Sequence, residues 1–134
     1  MSRLKEIRQA EAASHTQAYT CHSLFSPGSW LAKPVKTVIE LLPLFEGYAQ
    51  FVALDLGSGV GRNSIPVAQH FSGIPCRVDC VDILELAITK LNENAKQYGV
   101  ENCIHGIVSS IDDYEIDADS YDFIMAISAL EHIA

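Results

Sequence analysis

Apolar and polar residues alternate along this chain with two different periods, and the change of period marks out its elements. Residues 2–18 carry Ala10, Ala12, Ala13 and Ala18 among charged and polar groups, a weak helical signal. Ser26-Pro27-Gly28-Ser29 is a turn cluster ahead of Trp30-Leu31, so 20–34 reads as a loop or hinge. Pro34 suits a first helical position, and Val35, Val38, Ile39 and Leu42 then share one helix face that should end near Pro43. Phe51-Val52-Ala53-Leu54, running into Asp55-Leu56, is a short apolar strand. After Gly57-Ser58-Gly59-Val60-Gly61 a helix is predicted from about Gly61 to Phe71, with Pro66 in its first turns.

The second half repeats the alternation. Arg77–Val81 is predicted to be a strand ending at Asp82. Leu84, Ala87, Ile88, Leu91, Ala95 and Tyr98 fit one helical face, with Gly99 just past its end. Cys103–Val108 and Tyr121–Ile127 read as a third and a fourth strand. Between them lie Asp112, Asp113, Glu115, Asp117 and Asp119, a solvated acidic loop. Strands that alternate with helices predict a parallel α/β sheet. Ligands of such sheets sit beyond the carboxyl ends of the strands, which here means residues 57–61, 82–83, 109–112 and 127–132.

The glycine cluster follows a strand, where a ligand can approach bare backbone. It reads GxGxG. The dinucleotide fingerprint GxGxxG would need glycine where Arg62 stands, which argues against a nicotinamide-dependent oxidoreductase, and no phosphate-binding GxxxxGK[ST] pattern is present. Asp82 ends the next strand, 21 residues after Gly61. A carboxylate there can accept from both hydroxyls of a ribose, or it can cap the helix that follows. The two uses compete for the same oxygens.

Taken in order, these segments resemble the class I S-adenosylmethionine-dependent methyltransferases. Val52-Ala53-Leu54-Asp55-Leu56-Gly57-Ser58-Gly59-Val60-Gly61 is similar to the family's first motif, and Cys80-Val81-Asp82-Ile83 to the second. Ser109-Ser110-Ile111-Asp112 stands in place of the third, and Tyr121-Asp122-Phe123-Ile124 through Ala129-Leu130-Glu131-His132-Ile133 resembles the fourth. The resemblance covers roughly residues 35–134 and implies a Rossmann-like sheet of about four strands in the order 3-2-1-4, with an N-terminal helical or lid segment over 1–33 and a partial cofactor-binding domain over 34–134. It implies that S-adenosylmethionine is the cofactor. Gly57, Ser58 and Gly59 would pass under its methionine part, with Asp55 orienting that loop or meeting the amino group. Asp82 would hold the ribose, Ile83 would pack on the adenine, Ser110 and Ile111 would border the adenine edge, and Ile127 and Ser128 would line the pocket near the sulfonium. Two features depart from the family pattern. Ser110 stands where an acid is frequent, and strands five to seven of the seven-stranded family sheet have no counterpart in these 134 residues. The apolar fourth strand should then be an edge. The expectation is a fragment of a methyltransferase, or a cofactor-binding module that completes its sheet as a homodimer.

Charge narrows the partners. Residues 1–36 carry five basic and two acidic groups, whereas 37–134 carry four basic and fifteen acidic ones. A body of net charge −11 suits a cationic cofactor and a small-molecule acceptor and disfavours nucleic acid. No apolar run spans a bilayer and Met1–Arg8 lacks the apolar core of a signal peptide, so no membrane is expected and the cytosol is. Cys21, Cys76, Cys80 and Cys103 form no CxxC pair and have no ligand-spaced histidines, so reduced thiols are expected and no metal. Methyl transfer needs a base only when the acceptor must lose a proton. His132 and Tyr19 are the candidates, alongside plainer roles at a helix start and in packing. His15, His22 and Trp30 complete a possible lid on the first helix and hinge.

Overall fold

A computed structural model of the chain describes residues 24–25, 33–117 and 119–127. The predicted first helix, Tyr19 and the other lid residues, Cys21, Ser128 and His132 lie outside the described residues. In chain order the elements are α1 (Lys36–Leu41), a 3-10 turn (Leu42–Phe45), β1 (Phe51–Leu56), α2 (Ser64–His70), β2 (Cys76–Asp82), α3 (Glu85–Gln97), β3 (Ile104–Val108) and β4 (Phe123–Met125). All strand pairs are parallel, and the order is β3-β2-β1-β4, as expected.

Central β1 is buried on both faces and therefore apolar almost throughout. Its odd residues, Phe51 and Ala53, join Val78, Cys80, Ile104 and Met125 in the main core. Ile65, Val67 and Ala68 of α2 and Ala87, Ile88, Leu91 and Ala95 of α3 close that core from outside, so the helix stripe read from the sequence is the buried one. Each such Leu, Ile or Phe contributes about 1.5–3 kcal/mol by leaving water. Helix α3 stops where Gly99 N–H returns to the Lys96 carbonyl and Val100 N–H to that of Ala95. At the end where the strands begin, Phe51 stacks on Phe71 with centroids 4.0 Å apart, and Phe45 packs on Phe51 and Phe123.

The other face of the sheet carries a smaller cluster. Leu54, Leu56 and Val81 are covered by Ile107, Ile111, Tyr114, Tyr121 and Ala126. Polar bonds tie this covering segment down. Tyr121 donates its hydroxyl to Asp79 Oδ2 at 2.7 Å, the Tyr114 and Tyr121 hydroxyls are 2.9 Å apart, and Arg77 Nε lies 3.3 Å from Asp79 Oδ1. Burial, the bonds to Tyr114 and Asp79 and the Asp79 charge all push the Tyr121 phenol up.

Several boundaries differ from the pattern-based ones. Pro34 stands outside α1 because Val35 is extended and gives its N–H to Asn63 Oδ1 at 2.8 Å. Pro43 tightens the helix end into the 3-10 turn rather than stopping it. Helix α2 begins at Ser64, not near Gly61, whose φ of +103° is not helical. Strand β4 is three residues long, because Asp122 bonds Val52 through both its N–H and its carboxylate and Tyr121 turns to Asp79.

Candidate functional site

The strand order turns back on itself at β1, with β2 on one side and β4 on the other, and a ligand crevice belongs at the carboxyl ends there. The loop 57–61 fills that position. Gly57 N–H donates to the Val81 carbonyl at 2.7 Å and Ser58 N–H to the same oxygen at 3.1 Å, which pins the loop to β2. Gly57 and Gly59 have φ of +75° and +57°. A Cβ on Gly61 would lie 2.6 Å from Ile65 Cγ1 and 2.9 Å from Leu91 Cδ1, so the third glycine lets the loop and α2 close onto α3. Asn94 Nδ2 then donates to the Val60 carbonyl at 3.0 Å.

Both oxygens of Asp82 face backbone donors. Gly59 N–H donates to Oδ2 and Leu84 N–H to Oδ1, each at 2.9 Å. The carboxylate therefore joins the glycine loop to the turn that starts α3, although no side chain caps that helix at Leu84. The next residue, Ile83, is 61 % exposed, a bare apolar platform beside the loop.

Asp55 is the unusual group. It is 2 % exposed, and its Oδ2 has no hydrogen-bond partner among the described residues; nor has the buried Ser64 hydroxyl. Burial, then the charge of Asp82, push the Asp55 carboxyl up to about 7, against a smaller opposing effect of Ser64. Cys80, its partner across β1 and β2, is also pushed up, first by burial and then by Asp55. A buried acceptor with an unfilled oxygen is costly unless something pairs with it, and a cationic ligand is the natural complement.

Around the third strand, Ser110 donates to Asp113 Oδ2 at 2.9 Å and accepts from Asp113 N–H at 3.2 Å, closing the turn over 111–113. Ile111 is half-buried in the smaller cluster and Ile127 half-buried against the main core. The structure thus gathers Asp55, Gly57, Ser58, Gly59, Asp82 and Ile83 at one rim, while Ser110 and Ile111 belong to the neighbouring turn. Ser64 and Asn63 went unmarked in the sequence; their only signal was polar residues in the first turn after a glycine loop. Among the described residues no group of His, Cys, Asp or Glu is placed to hold a metal ion, and Cys76, Cys80 and Cys103 are free thiols.

A methyltransferase-domain family model matches residues 53–134. The chain belongs to the S-adenosylmethionine-dependent methyltransferase-domain family. The fold agrees. An RNA methyltransferase from Salinibacter ruber, solved with S-adenosylhomocysteine, is 28 % identical and has a TM-score of 0.52 over 63 % of this chain and 53 % of its own. A methyltransferase from Thiobacillus denitrificans, also solved with S-adenosylhomocysteine, gives 19 % and 0.56 over 78 % and 39 %. A geranyl diphosphate methyltransferase solved with its cofactor gives 17 % and 0.54 over 66 % and 35 %. The chain thus spans between about a third and a half of the length of these structures. No curated protein matches it. The cofactor of this methyltransferase domain is S-adenosylmethionine. The residues at the rim fit it: an unpaired buried carboxyl oxygen suits the ammonium, and an exposed apolar residue suits the adenine. Among the described residues no helix is long and apolar enough to cross a membrane.

Proposed function

We propose that this chain carries the cofactor-binding half of a cytosolic methyltransferase that acts on a small-molecule acceptor. The observation that carries the reading is the buried Asp55 with its unpartnered Oδ2, set beside the glycine loop and Asp82 at the switch point of the sheet. When bound, S-adenosylmethionine supplies a methyl group already activated on a sulfonium. Gly57, Ser58 and Gly59 offer bare backbone to its methionine part, and Asp55 accepts from the ammonium. Asp82 accepts from the ribose hydroxyls with the lone pairs its two N–H partners leave free, Ile83 packs on the adenine, and Ser110, Ile111, Ile127 and Ser128 border the pocket. The protein's chief contribution is orientation, which alone lowers the barrier of an in-line displacement substantially. The acidic body favours a small acceptor over the RNA named for the Salinibacter relative. If the acceptor must lose a proton, His132 and Tyr19 are the groups to replace first.

A second reading is favoured by one observation. Strand β4 pairs only with β1 among the described strands, and its Ile124 is 49 % exposed. Such an edge invites a second copy, giving an inactive S-adenosylmethionine-binding module that completes its sheet as a homodimer. Calorimetric titration with S-adenosylhomocysteine tests both. Binding at about micromolar strength, weakened about a hundredfold or more by Asp82→Ala through loss of two charged hydrogen bonds, supports the cofactor site. A folded chain that does not bind refutes it. Methyl transfer to a small-molecule panel by a monomer supports the first reading; a dimer that binds without transfer supports the second.

A further inference from the structure

We propose that Asp55 holds a proton in the ligand-free chain and releases it when the cofactor's cationic end arrives, so that cofactor uptake and proton release are one event. This rests on the cofactor-site reading above. The geometry is that of an acceptor walled off from water. The side chain is 2 % exposed and Oδ2 meets no donor among the described residues. From β2 it faces the Cys80 thiol and the Asp82 carboxyl, and from α2 the Ser64 hydroxyl, which is near enough to favour the ionised form a little but makes no hydrogen bond of full geometry. Its β4 neighbour is Met125, which brings no charge. Asp82 differs, because each of its oxygens already has a backbone N–H. An ionised Asp55 would therefore sit desolvated beside a second carboxyl with only the Ser64 hydroxyl to offset it in part, and its carboxyl is pushed up to about 7 accordingly.

The exchange balances simply. The O–H bond of Asp55 breaks, the proton passes to the buffer, and the ammonium of the ligand becomes the partner of the carboxylate. Nothing is oxidised or reduced. The wild-type chain is titrated with S-adenosylhomocysteine by calorimetry in pairs of buffers with different ionisation heats. With a free-state midpoint of about 7 and an ionised bound state, binding releases about three-quarters of a proton at pH 6.5 and about a tenth or less at pH 8. Affinity falls about thirtyfold from pH 8 to pH 5.5. Binding that is intact at pH 6.5 with the same heat in both buffers overturns the proposal and leaves the cofactor site standing. Absence of binding at pH 8 removes the cofactor site, and the proposal falls with it.

Asp55→Asn should bind more weakly at pH 8, without proton release and without the pH slope. Continued release from that variant assigns the proton to another group and refutes the claim. Should the variant not fold, infrared spectroscopy of the wild type decides. A protonated-carboxyl band present at pH 6.5 and lost on adding S-adenosylhomocysteine supports the proposal, and a band unchanged by the ligand overturns it.

Discussion

Three glycines separate backbone conformation from close packing as reasons for a glycine. Gly47 has φ of +90°, and a Cβ there would have nothing within 4 Å, so alanine meets only the backbone penalty, about 1–2 kcal/mol. Gly106 lies outside the left-handed region, and its Cβ would sit 2.7 Å from Ile88 Cγ2 on α3. Alanine there meets only the overpacking penalty, about 1–3 kcal/mol. Gly61 meets both: φ is +103°, and the two contacts at 2.6 and 2.9 Å involve branched side chains anchored in the core. Gly61→Ala should then cost about 2–5 kcal/mol, a large share of the roughly 5–15 kcal/mol that holds an ordinary domain together. Urea unfolding of the three variants, compared at matched slopes, reads these differences directly. A Gly61→Ala loss no larger than that of Gly47→Ala would refute the reasoning, because Gly61 would then owe its identity to the turn alone.

Two other outcomes follow from groups with unusual surroundings. Asp55 binds its proton more tightly folded than unfolded, so its contribution to stability is present below the unfolded value of 3.8 and is lost as pH rises through about 7. Without ligand, Asp55→Asn should therefore stabilise the chain at pH 8 by up to about 4 kcal/mol and have little effect at pH 4, as thermal or urea melts at the two pH values would show; equal effects at both would sink the idea. Tyr121→Phe removes the hydroxyl that bonds Asp79 and Tyr114 and should cost about 1–3 kcal/mol in urea unfolding while leaving affinity for S-adenosylhomocysteine unchanged; a changed affinity would mean that the covering segment reaches the site.

The succession of strands and helices was legible because each carries its own period, and a parallel sheet follows from that alternation; the order 3-2-1-4 across the sheet was implied by the resemblance of the motifs and not by the periods. The ends of elements were not legible, because long-range side chains set them. Val35 leaves α1 for Asn63, 28 residues away, and Asp122 reaches Val52 across 70 residues. That the glycine loop and Asp82 meet at the carboxyl end of the sheet was legible in their positions after two successive strands, and Asp55 entered through the resemblance of the first motif. That Asp82 ties the glycine loop to the start of α3 was not legible, because it depends on where the loop places the Gly59 N–H. The unpartnered oxygen of Asp55 is likewise a property of the packed sheet, since the same residue in an open strand end would be solvated. The Asp79–Tyr121 bond had no sequence signal beyond an acid in the middle of an apolar strand.

The position of β1 in the sheet has a consequence for synthesis on the ribosome. One edge of β1 finds β2 soon, Phe51 pairing with Cys76. The other must await β4, since its partner Asp122 lies 70 residues beyond Val52. At about 5–20 residues per second, that edge of Phe51–Leu56 stays bare for roughly 4–14 s after β1 is made. For that interval an apolar strand with open hydrogen-bonding groups is a target for holdase chaperones and for neighbouring nascent chains on the same messenger RNA. Slow codons anywhere between β1 and β4 would lengthen the exposure, and the soluble yield of this chain should be more sensitive to them there than in the message ahead of β1.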